Sequence, residues 1–210
     1  MKEIFFKIEE DKKKRILECS VAEFATHNYE QSSINAIIKA ADISKGGLFK
    51  YISCKEDLYL YTMEVILTEL IIYQAERVTR RSNCYFDRIV ELTEVAFEFY
   101  ENHNASYKAI LTGLLDRRSP VYNKLLGLRD RLVKAYQSDI LDDIDWDRYR
   151  IKKEDLIFVT GCTLNGYNLE LLDHMNNQTA LSTFRDKLVT DLSLIFDVMK
   201  VGVMNEVSSC

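Results

Sequence analysis

Lys45, Gly46, Gly47, Lys50 and Tyr51 crowd into one short stretch, ISKGGLFKYI. The types present suit recognition of a polyanion better than bond-making. A lysine can meet a phosphate oxygen or a guanine edge, glycine lets a backbone come close, and tyrosine carries a hydroxyl donor. The elements that must position them are legible on either side. Ile34, Ile37, Ile38 and Ala41 recur at i, i+3, i+4 and i+7, one buried face of a helix, and Ser32 or Ser33 stands where its N-cap belongs. Asp42-Ile43-Ser44 interrupts that pattern, and Ser44 can cap a second short helix running to about Tyr51, with Leu48 turned inward. Two glycines in so short a helix cost roughly 1 kcal/mol each against alanine, a cost that close approach to a nucleic-acid backbone would explain. Ser53-Cys54-Lys55-Glu56 then reads as a capping box opening a much longer helix. Helix, tight turn and short basic helix is the layout of a helix-turn-helix DNA reader.

Signals for bond-making are missing. No Ser-His-Asp or Cys-His arrangement can be read, no glycine-rich loop follows a strand, and there are no strand patterns. Glu94 and Glu98 lie one helical turn apart, a spacing that usually marks a solvated face. His27, His103, His174 and the five cysteines show no metal-ligand spacing. The aspartates between Leu141 and Asp147 lack the glycine and closing glutamate of an EF-hand loop, so a solvated loop or cap is expected there. The expectation is a protein that is not an enzyme and carries no cofactor and no metal.

The segment from Ile16 to Leu58, through ILECSVAEFATHNYEQSSINAII, AADISKGGLFKYI and SCKEDL, resembles the DNA-binding domain of TetR-type transcriptional regulators. In that register the resemblance implies DNA contacts from Ser33, Asn35, Ser44, Lys45, Gly46, Gly47, Phe49, Lys50, Tyr51 and Lys55. It implies an all-α fold: a three-helix helix-turn-helix domain over residues 1–54, and a helical ligand-binding and dimerisation domain over 55–210. It also implies the partners, namely double-stranded operator DNA, a small-molecule effector and a second copy of the chain. Release of a repressor by the effector is the expected mode, although activation fits the same residues. Departures are visible. The family usually has glycine where Asn28 and Asp42 stand, and Asn and Asp are the next most tolerant of left-handed backbone. It usually has tyrosine at Phe49, so one phosphate contact loses its hydroxyl.

Composition is compatible with this. The chain has 210 residues, 47% of them hydrophobic, a single proline and a net charge of −5. Residues 1–60 hold ten basic and ten acidic side chains, so the acidic excess lies entirely beyond them. A neutral head with local basic clusters on an acidic body can bind DNA. No apolar run approaches the ~20 residues of a membrane span, and MKEIFFKIEEDKKKR is not a signal peptide, so a cytoplasmic protein without membrane partners is expected.

Helices are expected over Glu10–His27, with the basic cluster Lys12–Arg15 at its start, and from Lys55 to about Arg80. Others should cover Phe86–Glu101, Tyr107–Leu115, Ser119–Leu141, Asp155–Met175 and Leu181–Met199. The last two are apolar on more than one face, which requires burial on more than one side and suggests a subunit interface. The body is rich in aromatics, and core packing is the ordinary reading of each. The resemblance implies a cavity walled by the helices from Lys55 to Leu141 and bordered by Asp155–Met175. Candidate lining residues are Phe97, Tyr100, Tyr107, Tyr136 and Tyr167, with His103, Asn165 and Asn168 as polar groups.

Overall fold

A computed structural model describes residues 1–78, 82–136, 140–177 and 181–204, and the side chains of all of these but 181–183. Nine α-helices lie among the described residues: α1 (Glu10–Thr26), α2 (Ile34–Ala40), α3 (Lys45–Phe49), α4 (Lys55–Arg77), α5 (Tyr85–Asn102), α6 (Asn104–Leu115), α7 (Tyr122–Tyr136), α8 (Lys153–Asn177) and α9 (Leu181–Val203). A 3₁₀ helix, Glu3–Lys7, precedes α1. The described residues contain no strand, only an isolated antiparallel bridge between Tyr149 and Met204. The all-α expectation is met.

The elements start and stop for local reasons. Ser33 accepts the Ala36 amide and Ser44 accepts the Gly47 amide, so both short helices of the reader carry the side-chain caps that their sequence announces. Asp42 takes φ 50°, the left-handed backbone that the tight turn needs. The start of α4 departs from the expected box: Cys54 is the N-cap residue and makes no side-chain cap bond, while Asp57, not Glu56, reaches back to accept the Ser53 amide at 2.8 Å. That bond holds the Asp57 carboxyl below its ordinary range. Only His103 separates α5 from α6, where the expected helices left residues 102–106 between them. Helix α7 begins at Tyr122, after a turn in which Ser119 accepts the Tyr122 amide through its carbonyl, rather than at Ser119. Leu141 sits in a turn and not in α7, α9 runs on past the expected Met199 to Val203, and the expected end at Arg80 lies outside the described residues.

Two hydrophobic clusters hold the chain together. The first gathers Ile16, Phe24, Ile37, Leu48 and Ile52 of the head with Leu58, Tyr59, Met63 and Ile66 of α4, and reaches Ala109 and Ile110 of α6 and Leu125 and Leu128 of α7. Tyr59 lies at its centre, edge-on to Phe24 and Tyr29 with ring centroids 4.9 and 5.0 Å away. The head is therefore packed onto α4, α6 and α7 rather than joined by a linker. The second cluster lies in the body and is rich in aromatics: Tyr85, Phe86, Phe97, Phe99, Tyr100 and Tyr107 pack with Leu156, Leu171, Phe184, Leu188, Leu192 and Phe196. Arg88, fully buried, ties its edge together by donating to the carbonyls of Ser82 and Ile140 and to both oxygens of Asp143.

Candidate nucleic-acid interface and body cavity

Helix α3 is anchored from beneath by Leu48, which is fully buried, and this turns the rest of the helix outward. Ser44, Lys45, Gly46, Phe49 and Lys50 are exposed, and Gly47 is half-buried. At Gly46 an added Cβ would meet nothing, so that glycine leaves an open notch on the outer face. Gly47 has a different cause: a Cβ there would come 3.0 Å from the Ser44 hydroxyl that caps the helix. Beside α3, the first turn of α2 presents Asn35 to solvent, and Ser33 is half-buried as its cap. Ser33 also donates its amide to Glu23 at 2.7 Å, which fixes α2 against α1. A polar, partly glycine-lined face with two free-standing lysines has the shape and chemistry to enter a groove and meet phosphate.

Two residues expected on that face are occupied elsewhere. Tyr51 is only 7% exposed, with its ring edge-on to Phe5 at 5.9 Å and the Lys12 ammonium 5.5 Å above it. The Lys55 ammonium donates to the carbonyls of Ser32 (2.9 Å) and Glu30 (3.2 Å) and lies 4.7 Å over the Tyr29 ring. It binds the α1–α2 loop to α4. Of the basic cluster at the start of α1, Lys13 pairs with Glu10 and Lys14 with Glu18. Two residues that the sequence did not single out also hold this end of α3: Phe5 against Tyr51, and Lys2, which donates to the carbonyls of Phe49 and Tyr51. The short apolar run Ile4-Phe5-Phe6 was their only signal.

In the body, a cavity of about 250 Å³ opens between α4, α5, α6, α8 and α9. Phe97, Tyr107, Tyr167 and Asn168 line it, as expected, together with Gln74 and Thr93, which were not singled out. Burial pushes the Tyr107 phenol up to about 12 and raises that of Tyr167 as well. Tyr100, His103, Tyr136 and Asn165 are not among the lining residues. Tyr100 is packed in the second cluster, 5.9 Å from Tyr107. His103 stacks on Phe99 at 4.6 Å, Tyr136 is exposed on α7, and Asn165 is half-buried on α8. Tyr136 lies on α7, which contributes no lining residue, His103 lies between α5 and α6, and Asn165 is turned about 100° from the lining Leu164 on α8.

The outer sides of α8 and α9 are apolar and uncovered. Phe158 is 71% exposed, Leu194 65%, Val198 68% and Val201 81%, and a Cβ added at Gly161, Gly166 or Gly202 would meet nothing. Leu188 points the other way and is 4% exposed, within the body core. No group of three or more possible metal ligands occurs among the described residues, and none of their helices is long and apolar enough to cross a membrane.

Residues 16–62 match the family described as bacterial regulatory proteins, tetR family. The reading head is a tetR-family domain. The fold of the whole chain is similar to that of a TetR family transcriptional regulator from Chloroflexus aurantiacus J-10-FL, at 18% identity over 98% of this chain and 99% of that one, with a TM-score of 0.67. It is also similar to a TetR-like transcriptional regulator from Rhodococcus sp. RHA1 (16% identity, 89% and 96% covered, TM-score 0.62) and to a tetR-family transcriptional regulator from Streptomyces coelicolor (21%, 92% and 84%, TM-score 0.60). At these identities the likeness is one of architecture. No curated protein matches the sequence. The tetR-family match runs from Ile16, within α1, to Thr62 in the first turns of α4, and so covers α2 and α3.

Proposed function

We propose that the protein is a ligand-responsive transcriptional regulator that binds operator DNA as a homodimer in the cytoplasm and is released by a small-molecule effector. Residues 1–54 would read DNA, and residues 55–210 would bind effector and dimerise. The observation that carries the DNA reading is the outward face of α3, with Lys45, Gly46 and Lys50 exposed over a Leu48 anchor inside a tetR-family domain. Dimerisation is supported by the uncovered apolar sides of α8 and α9, which no monomer in water would be expected to leave bare over such a length. The cavity walled by Phe97, Tyr107, Tyr167 and Asn168 is small, and its mixed lining suits a compact, partly apolar molecule with one or two polar groups.

The direct test is a mobility shift on the DNA flanking the protein's own gene, against a random duplex at the same salt. Specific retention that Lys45→Ala weakens supports the reading. Equal affinity for both duplexes at all salt concentrations refutes an operator-specific regulator. The effector proposal is tested separately, by screening small molecules for release of that complex and checking that Tyr107→Phe or Asn168→Ala shifts the concentration required.

A further inference from the structure

We propose that residues 1–8 form a clamp that positions α3 against α4, with Phe5 as its anchor, and that this clamp sets how sharply the protein tells DNA sequences apart. The proposal rests on the reading of α3 as the DNA-reading helix. The segment lies before α1 and outside the tetR-family match. Its 3₁₀ helix nevertheless has a fully buried anchor: Phe5 is 0% exposed, edge-on to Tyr51 behind α3 at 5.9 Å and to Tyr61 of α4 at 5.2 Å. Phe6, more exposed, lies 5.8 Å from the same Tyr61 ring. Lys2 completes the clamp from the backbone side. Its amide donates to the Tyr51 carbonyl at 2.8 Å, and its ammonium donates to the Phe49 carbonyl at 2.9 Å.

These contacts meet a need that α3 cannot meet alone. The helix has five residues, two of them glycine. A run that short cannot recover its nucleation cost, and the carbonyls at its trailing end have no helical partner. The segment supplies a partner for one of those carbonyls, that of Phe49, and for the Tyr51 carbonyl just beyond the helix, and it buries the ring of Tyr51. Because Phe5 touches Tyr51 and Tyr61 together, it fixes the trailing end of α3 relative to the long helix. Base-edge contacts demand placement within roughly 0.5 Å, whereas phosphate contacts tolerate slack. A loosened clamp should therefore harm specific binding more than non-specific binding. Phe5 and Lys2 are positioning residues and need not touch DNA.

The test uses the full chain with Phe5→Ala, Phe5→Leu and Lys2→Met. Two quantities are followed: amide hydrogen exchange over residues 45–52 in the free protein, and affinity for duplexes selected by the wild type from a random pool, relative to a random duplex at one salt concentration. Phe5→Ala should speed exchange over 45–52 by about tenfold while α5 to α9 keep their rates. The ratio of specific to random affinity should fall by about tenfold, and Phe5→Leu should recover most of both. Should Phe5→Ala fail to fold, Lys2→Met carries the same readouts with a smaller change, since its ammonium is exposed and leaves the core intact. Unchanged exchange over 45–52 overturns the clamp. Equal loss of affinity on both kinds of DNA overturns its role in discrimination and leaves only a contribution to stability. A wild type that selects nothing from the pool refutes the DNA reading instead, and the exchange measurement still decides whether the clamp exists.

Discussion

The two hydrophobic clusters differ in how much room they leave. The first, which joins the head to α4, α6 and α7, is closed where α6 crosses α4 and α7: at Gly113 a Cβ would come 2.5 Å from the Tyr59 hydroxyl and 2.9 Å from Leu125. Its widest groove among the described residues, about 520 Å³, lies at its rim between α4, α7 and the N-terminal segment. The second leaves about 250 Å³ between its helices and turns apolar sides of α8 and α9 outward, where Gly161 and Gly166 have nothing near them. A packed junction transmits displacement because close-packed side chains cannot absorb it. A body with a cavity and uncovered faces is one that can receive other molecules. On the proposed reading, the difference separates the part that relays a signal from the part that collects it.

The largest effect expected is on the uncovered faces. Phe158→Asp or Val198→Asp would place an unpaired charge in the proposed dimer interface, costing about 3–5 kcal/mol of association, while each protomer keeps its helicity because these side chains are exposed in it. Light scattering should then report monomer. An unchanged dimer mass would show that α8 and α9 pair by another face. Leu188→Asp would not serve, because Leu188 belongs to the protomer core and its loss would unfold the body. Next in size is Gly113→Val, which should lower the stability of the first cluster by about 3 kcal/mol in urea unfolding, through overpacking against Tyr59 and Leu125. A change under about 1 kcal/mol would mean that the junction is not closed.

What the sequence could and could not show follows from the range of each interaction. Ser33, Ser44 and Asp42 were legible because a cap or a left-handed turn is decided by residues within three or four of one another. The apolar character of α8 and α9 was legible too, but not which side each residue takes. In a helix apolar nearly all round, period alone cannot separate Leu188, inside, from Leu194, outside. Gly166, between the lining residues Leu164 and Tyr167, is open on the outer side of α8, which the same pattern could not tell. Tyr51 and Lys55 carry the right chemistry for DNA, yet contacts 46 and 23 residues away in sequence, to Phe5 and Ser32, occupy them. No local pattern encodes such pairings. The head also reaches α6 and α7 through Tyr59, Ala109 and Leu125, a packing that no motif announces.

Lys45→Ala acts on the exposed face of α3 and on neither cluster, so it should weaken operator binding by about 2 kcal/mol if the ammonium reads a guanine edge, with the loss concentrated at one base position. Contact with phosphate alone would give similar loss on every duplex and a salt slope smaller by about one. Either way, urea stability should stay at the wild-type value. Asp57→Asn should cost about 1 kcal/mol, since it weakens the acceptor for the Ser53 amide at the entry to α4. The folded-state carboxyl is held below its unfolded value, so its contribution is fully present above the ordinary carboxylate range and is lost as pH falls from there through the lowered folded-state value. The wild type and Asp57→Asn should therefore converge in stability once the pH lies well below the ordinary carboxylate range, and a gap that persists there would assign the effect to something other than the charge.

The smallest effect decides the comparison itself, because it applies the same kind of change to the other cluster with the opposite expected sign. Ala96 is buried on α5 and lines the body cavity. Ala96→Leu adds three carbons to a space that Gly113 does not have. Each buried methylene is worth about 0.8 kcal/mol, and rotamer ordering and small clashes consume most of that, leaving a gain of about 0.5–1 kcal/mol in urea unfolding. Dimer mass and operator affinity without effector should be unchanged, and effector-induced release should require a higher concentration because the space is filled. A loss of stability comparable to that of Gly113→Val would show that the gap among Phe97, Tyr107, Tyr167 and Asn168 is not usable volume. The contrast between a closed junction and a receptive body would then fail at its receptive end.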